Sequence, residues 1–215
     1  PNVMAQKAVE KVKLGFDTLK IKVGTGIEAD IARVKAIREA VGFDIKLRLD
    51  ANQAWTPKDA VKAIQELADY QIELVEQPVK RRDLEGLKYV TSQVNTTIMA
   101  DESCFDAQDA LELVKKGTVD VINIKLMKCG GIHEALKINQ ICETAGIECM
   151  IGCMAEETTI GITAAAHLAA AQKNITRADL DATFGLETAP VTGGVSLEAK
   201  PLLELGEAAG LGISH

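Results

Sequence analysis

An α/β fold on a parallel sheet is what this 215-residue sequence predicts. Three observations carry that expectation. Short apolar or alternating runs take strict turns with stretches of helical period, which suits right-handed βαβ crossovers. The last charged residues of successive runs, Lys22, Asp50, Glu76, Asp101 and Lys125, recur at separations of 28, 26, 25 and 24, each about one βα unit; Asp181 follows after 56, or two units. These charges stand at the C-terminal ends of the strands, where ligands bind. An open doubly wound sheet collects ligands at one switch point, whereas a barrel rings every strand end around one site. Charges on six of seven expected strands fit the ring.

The elements follow in order. Residues 4–15 read as a helix stopped by Gly15. Thr18 to Val23 alternates with period two and reads as a strand, with Lys20 and Lys22 on one face and Leu19, Ile21 and Val23 on the other. Glu28 to Val41 places Ile31, Val34, Ile37 and Val41 on one helical face before Gly42. Ile45 to Asp50 is a strand. Thr56-Pro57 caps and opens a helix with Ala60, Ile64, Leu67 and Ala68 inward. Glu73 to Glu76 is a strand ended by Pro78, and Asp83 to about Gln93 a helix. Thr97 to Asp101 is a strand, and Asp106 caps a helix that stops at Gly117. Asp120 to Leu126 is a strand, Gly131 to Ala145 a helix, Ile147 to Ile151 a strand. An Ala-rich helix spans Thr158 to Gln172, and the last strand Ala178 to Asp181. Residues 1–182 form the expected partial barrel. Residues 183–215, punctuated by Gly and Pro, form a loop-rich segment expected to pack against it.

Composition limits the function classes. The chain is 47% hydrophobic and 26% charged, as in a globular protein, and its 3% aromatic content leaves the core to Leu, Ile, Val and Ala. Net charge is −7 with both signs interspersed, so no basic patch points to nucleic acid. Cys104, Cys129, Cys142, Cys149 and Cys153 lack zinc spacing and read as reduced thiols of a cytoplasmic protein. No apolar run is long enough to span a membrane, and no signal peptide is recognised. The opening Pro1-Asn2-Val3, without an initiator Met, is expected of an excised part of a longer protein.

Chemistry resides on the polar faces of the strands. Asp50, Glu76 and Asp101 stand on three consecutive strands. Three carboxylates converging in a partly buried place cannot all stay ionised without a cation. An all-oxygen set selects a hard metal, Mg²⁺ first. The alternative is that each acid pairs with Arg48 or a lysine. Lys22 and Lys125 lie on well-separated strands with the acids between them. A metal-bound carboxylate acidifies its α-proton because the cation holds the enediolate that forms. One lysine would remove the proton and the other return one to the opposite face, inverting the carbon. The alternatives are a solvated lysine face for Lys22 and a structural salt bridge for Lys125. Asp179 and Asp181, away from the metal, want a positive partner: a substrate ammonium group, or Lys20 or Arg177.

Leu19-Lys20-Ile21-Lys22-Val23-Gly24, Leu49-Asp50-Ala51-Asn52-Gln53, Val75-Glu76-Gln77-Pro78, Ala100-Asp101-Glu102-Ser103 and Asn123-Ile124-Lys125-Leu126-Met127-Lys128 with Gly130-Gly131 resemble the enolase superfamily, muconate-lactonizing subgroup. Asp179-Leu180-Asp181 is similar to its dipeptide epimerase branch, of the L-Ala-D/L-Glu type. The resemblance implies a modified TIM barrel, (β/α)7β-like, here lacking the N-terminal capping domain and the first barrel strand. It implies a Lys base with Mg²⁺ on an ene-diolate, as is general for the superfamily. Asp50, Glu76 and Asp101 would hold one Mg²⁺, with Arg48, Asn52 and Glu102 around them. Lys22 and Lys125 would be the acid/base pair, Lys125 aligning where Lys128 does not. Lys20 would bind the substrate carboxylate and the Asp179/Asp181 pair the dipeptide ammonium. Cys153, Met154 and Glu156 would line the substrate. Their stretch, Gly152 to Thr158, is one residue longer than in the L-Ala-D/L-Glu type, which opens hydrophobic and other dipeptides. The cap supplies much of the side-chain contact, so the substrate side chain rests on analogy. A homo-oligomer is expected. The competing reactions on this scaffold are N-acylamino-acid racemisation, o-succinylbenzoate synthesis and cycloisomerisation, and a non-catalytic metal-binding barrel is the alternative outside enzymes.

Overall fold

The structure is a computed structural model that describes residues 1–182, 191–197 and 201–214. The chain divides into two compact units, Pro1–Ser103 with Lys116–Asp120, and Cys104–Lys115 with Val121–His215.

In the first unit, α1 (Asn2–Lys13), β1 (Thr18–Lys22), α2 (Ile27–Val41), β2 (Lys46–Asp50), α3 (Pro57–Glu66), β3 (Ile72–Glu76), α4 (Leu84–Gln93) and β4 (Thr97–Ala100) follow one another. The four strands pair in parallel in chain order. Strand β2 is buried on both faces, with Leu47 and Leu49 fully inaccessible, as an inner parallel strand must be. Thr56 accepts a hydrogen bond from the Asp59 N–H at 3.2 Å and precedes Pro57 at the first helical position, the cap read from sequence. Asp83 caps α4 through the Gly86 N–H at 2.8 Å.

Opposite the strand ends that carry the candidate site, the buried Arg38 guanidinium donates to the carbonyls of Gly42, Ile45, Tyr70 and Gln71 at 2.6–3.1 Å. Burial lowers its pKa from the ordinary value. Four carbonyl dipoles thus stand in for a carboxylate and tie α2 to the segments that open β2 and β3.

In the second unit, α5 (Ala107–Lys116) begins, and β5 (Val121–Lys125), α6 (Leu126–Cys129), α7 (Ile132–Thr144), β6 (Glu148–Gly152), α8 (Thr159–Ala171) and β7 (Ile175–Asp179) follow. Strands β5, β6 and β7 pair in parallel in chain order. Two short antiparallel pairs follow where loop was expected: β8 (Thr192–Gly193) with β11 (Ile213–Ser214), and β9 (Ser196–Leu197) with β10 (Leu203–Glu204). Two-residue strands leave no periodicity to read. Residues 183–190, 198–200 and 215 of the expected C-terminal segment lie outside the described residues. The Val195 N–H donates to Thr163 Oγ1 at 2.9 Å, tying this segment to α8.

Two local expectations need correction. The last strand runs Ile175–Asp179, so Asp181 follows the strand rather than ending it. The Asp179-Leu180-Asp181 alternation imitates a strand, but the ladder begins earlier, at Ile175 opposite Cys149, and its register shifts between Cys149 and Met150. The one-turn helix α6 between β5 and α7 also escaped the reading; it closes on Gly130, at φ +86°.

All five cysteines are free thiols, Cys153 being the only one not buried. Among the described residues no helix is long and apolar enough to cross a membrane.

Candidate active site

In the first unit the ladder sets the strand ends level. Lys22 pairs with Asp50, Asp50 with Glu76, and Glu76 with Met99; Asp101, expected to end the next strand, lies just past β4, two residues beyond Met99. Asp50 and Glu76 are fully inaccessible and Asp101 is 3% exposed. Lys22 Nζ lies 2.5 Å from Asp50 Oδ2 and donates to Asn52 Oδ1 at 2.8 Å, although the Lys22 side chain is 61% exposed. Lys20 Nζ stands 3.8 Å from Asp50 Oδ2 and 3.7 Å from Glu76 Oε2. The contacts show Lys20, Lys22, Asp50 and Glu76 on one face of the sheet. Asn52 Nδ2 and Gln53 Nε2 both donate to Glu102 Oε1, at 3.3 and 3.2 Å.

Arg48, expected beside the acids, points its Nε at Glu73 Oε2, 2.6 Å away. The cause is a register shift: Leu47 pairs with Ile72 but Arg48 with Leu74, so Glu73 is an extra residue that reaches Arg48.

Among the described residues, no three His, Cys, Asp or Glu side chains are gathered closely enough to hold a metal ion. Asp50 and Glu76 face ammonium groups, as the alternative reading of the acids anticipated. Their chemistry nonetheless fits a hard divalent cation. The donors are buried oxygens on consecutive strand ends, and one positive centre, Lys20 Nζ, already stands within 3.8 Å of oxygens from both Asp50 and Glu76.

In the second unit Lys125, Gly152 and Asp179 are the last residues of three consecutive strands and lie in one register row. Lys125 is buried at 9% exposure. Lys128, in contrast, donates to the Asn123 carbonyl at 2.8 Å and lies 5.9 Å from the Phe105 ring. Gly152 leaves room for Asn123, whose Oδ1 would stand 2.6 Å from a Cβ there. Cys153 Sγ contacts the Asp179 carbonyl at 3.3 Å and Asp181 Oδ1 at 4.0 Å. Burial first, then the Asp179, Asp181 and Glu157 charges, push its thiol pKa up to about 11, so it is protonated at neutral pH. Met154 is exposed, and its N–H donates to the buried Glu157 at 3.0 Å; Glu156 takes a left-handed backbone at φ +60°. Arg177 pairs with Glu148 at 2.5 Å.

Sequence reasoning missed Gln77 and Glu157. Both are buried polar residues beside site motifs, at 0% and 3% exposure. The signal for Gln77 was its place directly after Glu76.

The chain matches the family described as "Enolase C-terminal domain-like" over residues 3–215. It is 49% identical to an L-Ala-D/L-Glu epimerase of Clostridium acetobutylicum, over 99% of this chain and 60% of that protein. A substrate-liganded structure of the L-Ala-D/L-Glu epimerase from Bacillus subtilis superposes with a TM-score of 0.94 at 52% identity, over 97% of this chain and 58% of that one. The dipeptide epimerase from Cytophaga hutchinsonii, complexed with Mg and D-Ala-L-Val, superposes at 0.96 with 39% identity, over 100% and 58%. The chain therefore spans about three-fifths of the length of these relatives. With the level strand ends and a match over nearly its full length, the chain belongs to the enolase C-terminal domain-like family.

Proposed function

We propose that this chain is the barrel portion of a Mg²⁺-dependent dipeptide epimerase, an isomerase that inverts the α-carbon of the C-terminal residue of a dipeptide. Residues 1–182 supply the strands and 183–215 the segment that packs back on them. The observation that carries the reading is the Lys20 ammonium between Asp50 and Glu76, with Lys22 on the same face. It supports a site where carboxylates from adjacent strands serve one cation and amines approach the same place.

Asp50, Glu76 and Asp101 would hold the Mg²⁺. When bound, the ion supplies positive charge that draws electrons from the substrate carboxylate and acidifies the neighbouring C–H. Lys20 balances the carboxylate charge. Lys22 exchanges a proton with the α-carbon on one face and Lys125 on the other, so each acts as base in one direction and acid in the reverse. Asp50 and Asn52 aim the Lys22 amine. Asp179 and Asp181 bind the dipeptide α-ammonium by charge-assisted hydrogen bonds, and Cys153, Met154 and Glu156 lie on the loop that would border it.

Full-length protein incubated with Mg²⁺ and a library of L,L-dipeptides in D₂O tests this directly. A one-mass-unit gain at the α-carbon of the second residue, with both epimers formed, is expected for at least one dipeptide. Absence of exchange across the library would refute the reading.

A further inference from the structure

Beyond the ligands themselves, one side chain holds the turn that carries Asp101. Gln77 is fully buried, and every hydrogen-bonding direction of its amide is used. Its Oε1 accepts from the N–H groups of Asp101 and Ser103, both at 3.0 Å. Its Nε2 donates to the Val79 carbonyl at 3.0 Å and to Ser103 Oγ at 2.8 Å, and that hydroxyl donates to the Arg81 carbonyl at 2.8 Å. The Gln77 main chain is held as firmly: its N–H donates to Met99 and its carbonyl accepts from Gln53, both at 2.8 Å. One residue thus joins the turns that follow β2, β3 and β4.

The backbone of Gln77 sits at φ +38°, where glycine is the easier residue. A side chain kept at that φ needs compensation, and the two N–H bonds across to the next strand supply it. Those N–H groups are buried away from water, so no solvent replaces the amide oxygen. We propose that Gln77 is a positioning residue: it sets the backbone of Asp101 so that its carboxylate is offered to the divalent cation. This rests on the reading of Asp101 as a metal ligand.

The test uses full-length protein in five forms: wild type, Gln77→Met, Gln77→Glu, Ser103→Ala and Asp101→Asn. Amide exchange over residues 99–104 is measured without metal, Mg²⁺ affinity by calorimetry, and Tm alongside. Gln77→Met should speed exchange at Asp101 and Ser103 at least tenfold and weaken Mg²⁺ at least tenfold. Gln77→Glu keeps the acceptor oxygens and should hold exchange within threefold of wild type. Ser103→Ala lowers Tm but spares both bonds to Oε1, so exchange and affinity should stay within twofold. Wild-type exchange and affinity in Gln77→Met would overturn the proposal, as would affinity that merely follows Tm across Gln77→Met and Ser103→Ala. Should Gln77→Met fail to fold, Gln77→Glu decides: exposed amides in a folded Gln77→Glu protein overturn the proposal. Asp101→Asn separates the two ideas. Wild-type Mg²⁺ affinity there removes the metal reading and with it the proposal, whereas lost affinity there and none lost in Gln77→Met removes only the role of Gln77.

Discussion

The two units end their strands differently. In the first, Lys22, Asp50 and Glu76 close β1 to β3 and neutralise one another within the sheet, with Lys20 between two of them. The turns beyond carry three side-chain-bearing residues in left-handed backbone, Asn52, Gln53 and Gln77, each engaged in a hydrogen bond to a neighbouring turn. In the second unit, a single buried lysine, a glycine and an aspartate close β5 to β7, and the residues beyond are a thiol, an exposed methionine and an exposed aspartate. Charge chemistry that must hold several groups together needs interlocked turns.

The largest effects should come from breaking the division of labour between the two lysines. In full-length protein, Lys22→Ala and Lys125→Ala should each lower epimerisation about 1000-fold. Each should still exchange the α-proton of the one epimer faced by the lysine that remains, read as stereospecific deuterium uptake. Loss of exchange from the same epimer in both variants would show that the two amines do not work from opposite faces.

Next in size, Asp50→Asn should weaken Mg²⁺ about 100-fold by calorimetry, because it removes a ligand charge. Unchanged affinity would mean the first unit is an ion-pair network only. In the second unit, Asp181→Asn should raise KM for dipeptides about tenfold with kcat within threefold, the cost of one charge-assisted bond to an ammonium group. An equal change in kcat, or none in either constant, removes that role and favours substrates without a free amine.

Smaller still, Gly152→Ala places a methyl 2.6 Å from Asn123 Oδ1, beside Lys125 and Asp179 in the register row. Overpacking of this kind costs about 1–3 kcal/mol, read by urea unfolding. The mildest test is Cys153. With its pKa pushed up to about 11, its alkylation, followed by peptide mapping, should be slow at pH 8 and rise about tenfold per pH unit through pH 10. The sign for stability follows. The folded protein holds this proton more tightly than the unfolded chain, whose thiol titrates near 8.5 to 9. The contribution is therefore whole below that range and is lost as pH rises through about 11. Fast labelling at pH 8 would place the thiol in open water and away from its carboxylate neighbours.

The sequence by itself determined the alternation of strands and helices and which charged residue closes β1, β2, β3 and β5. Period, caps and breakers are local properties, governed by neighbours a few residues away. Thr56-Pro57 and Gly42 mark helix ends because φ and hydrogen-bond demands are written into those residues. The start of β7 was not legible because a ladder that shifts register carries no even alternation.

Only the tertiary structure decided which charges meet. Arg48 meets Glu73 because one extra residue in β3 brought that carboxylate within reach. Lys22, not a distant partner, took Asp50, because the ladder set them level. Gln77 gained its importance from Asp101 and Ser103, more than twenty residues away, whose buried N–H groups both donate to its amide oxygen. Contacts of that range depend on register, bulges and burial, which arise when strands pair and cannot be summed from the residues one at a time.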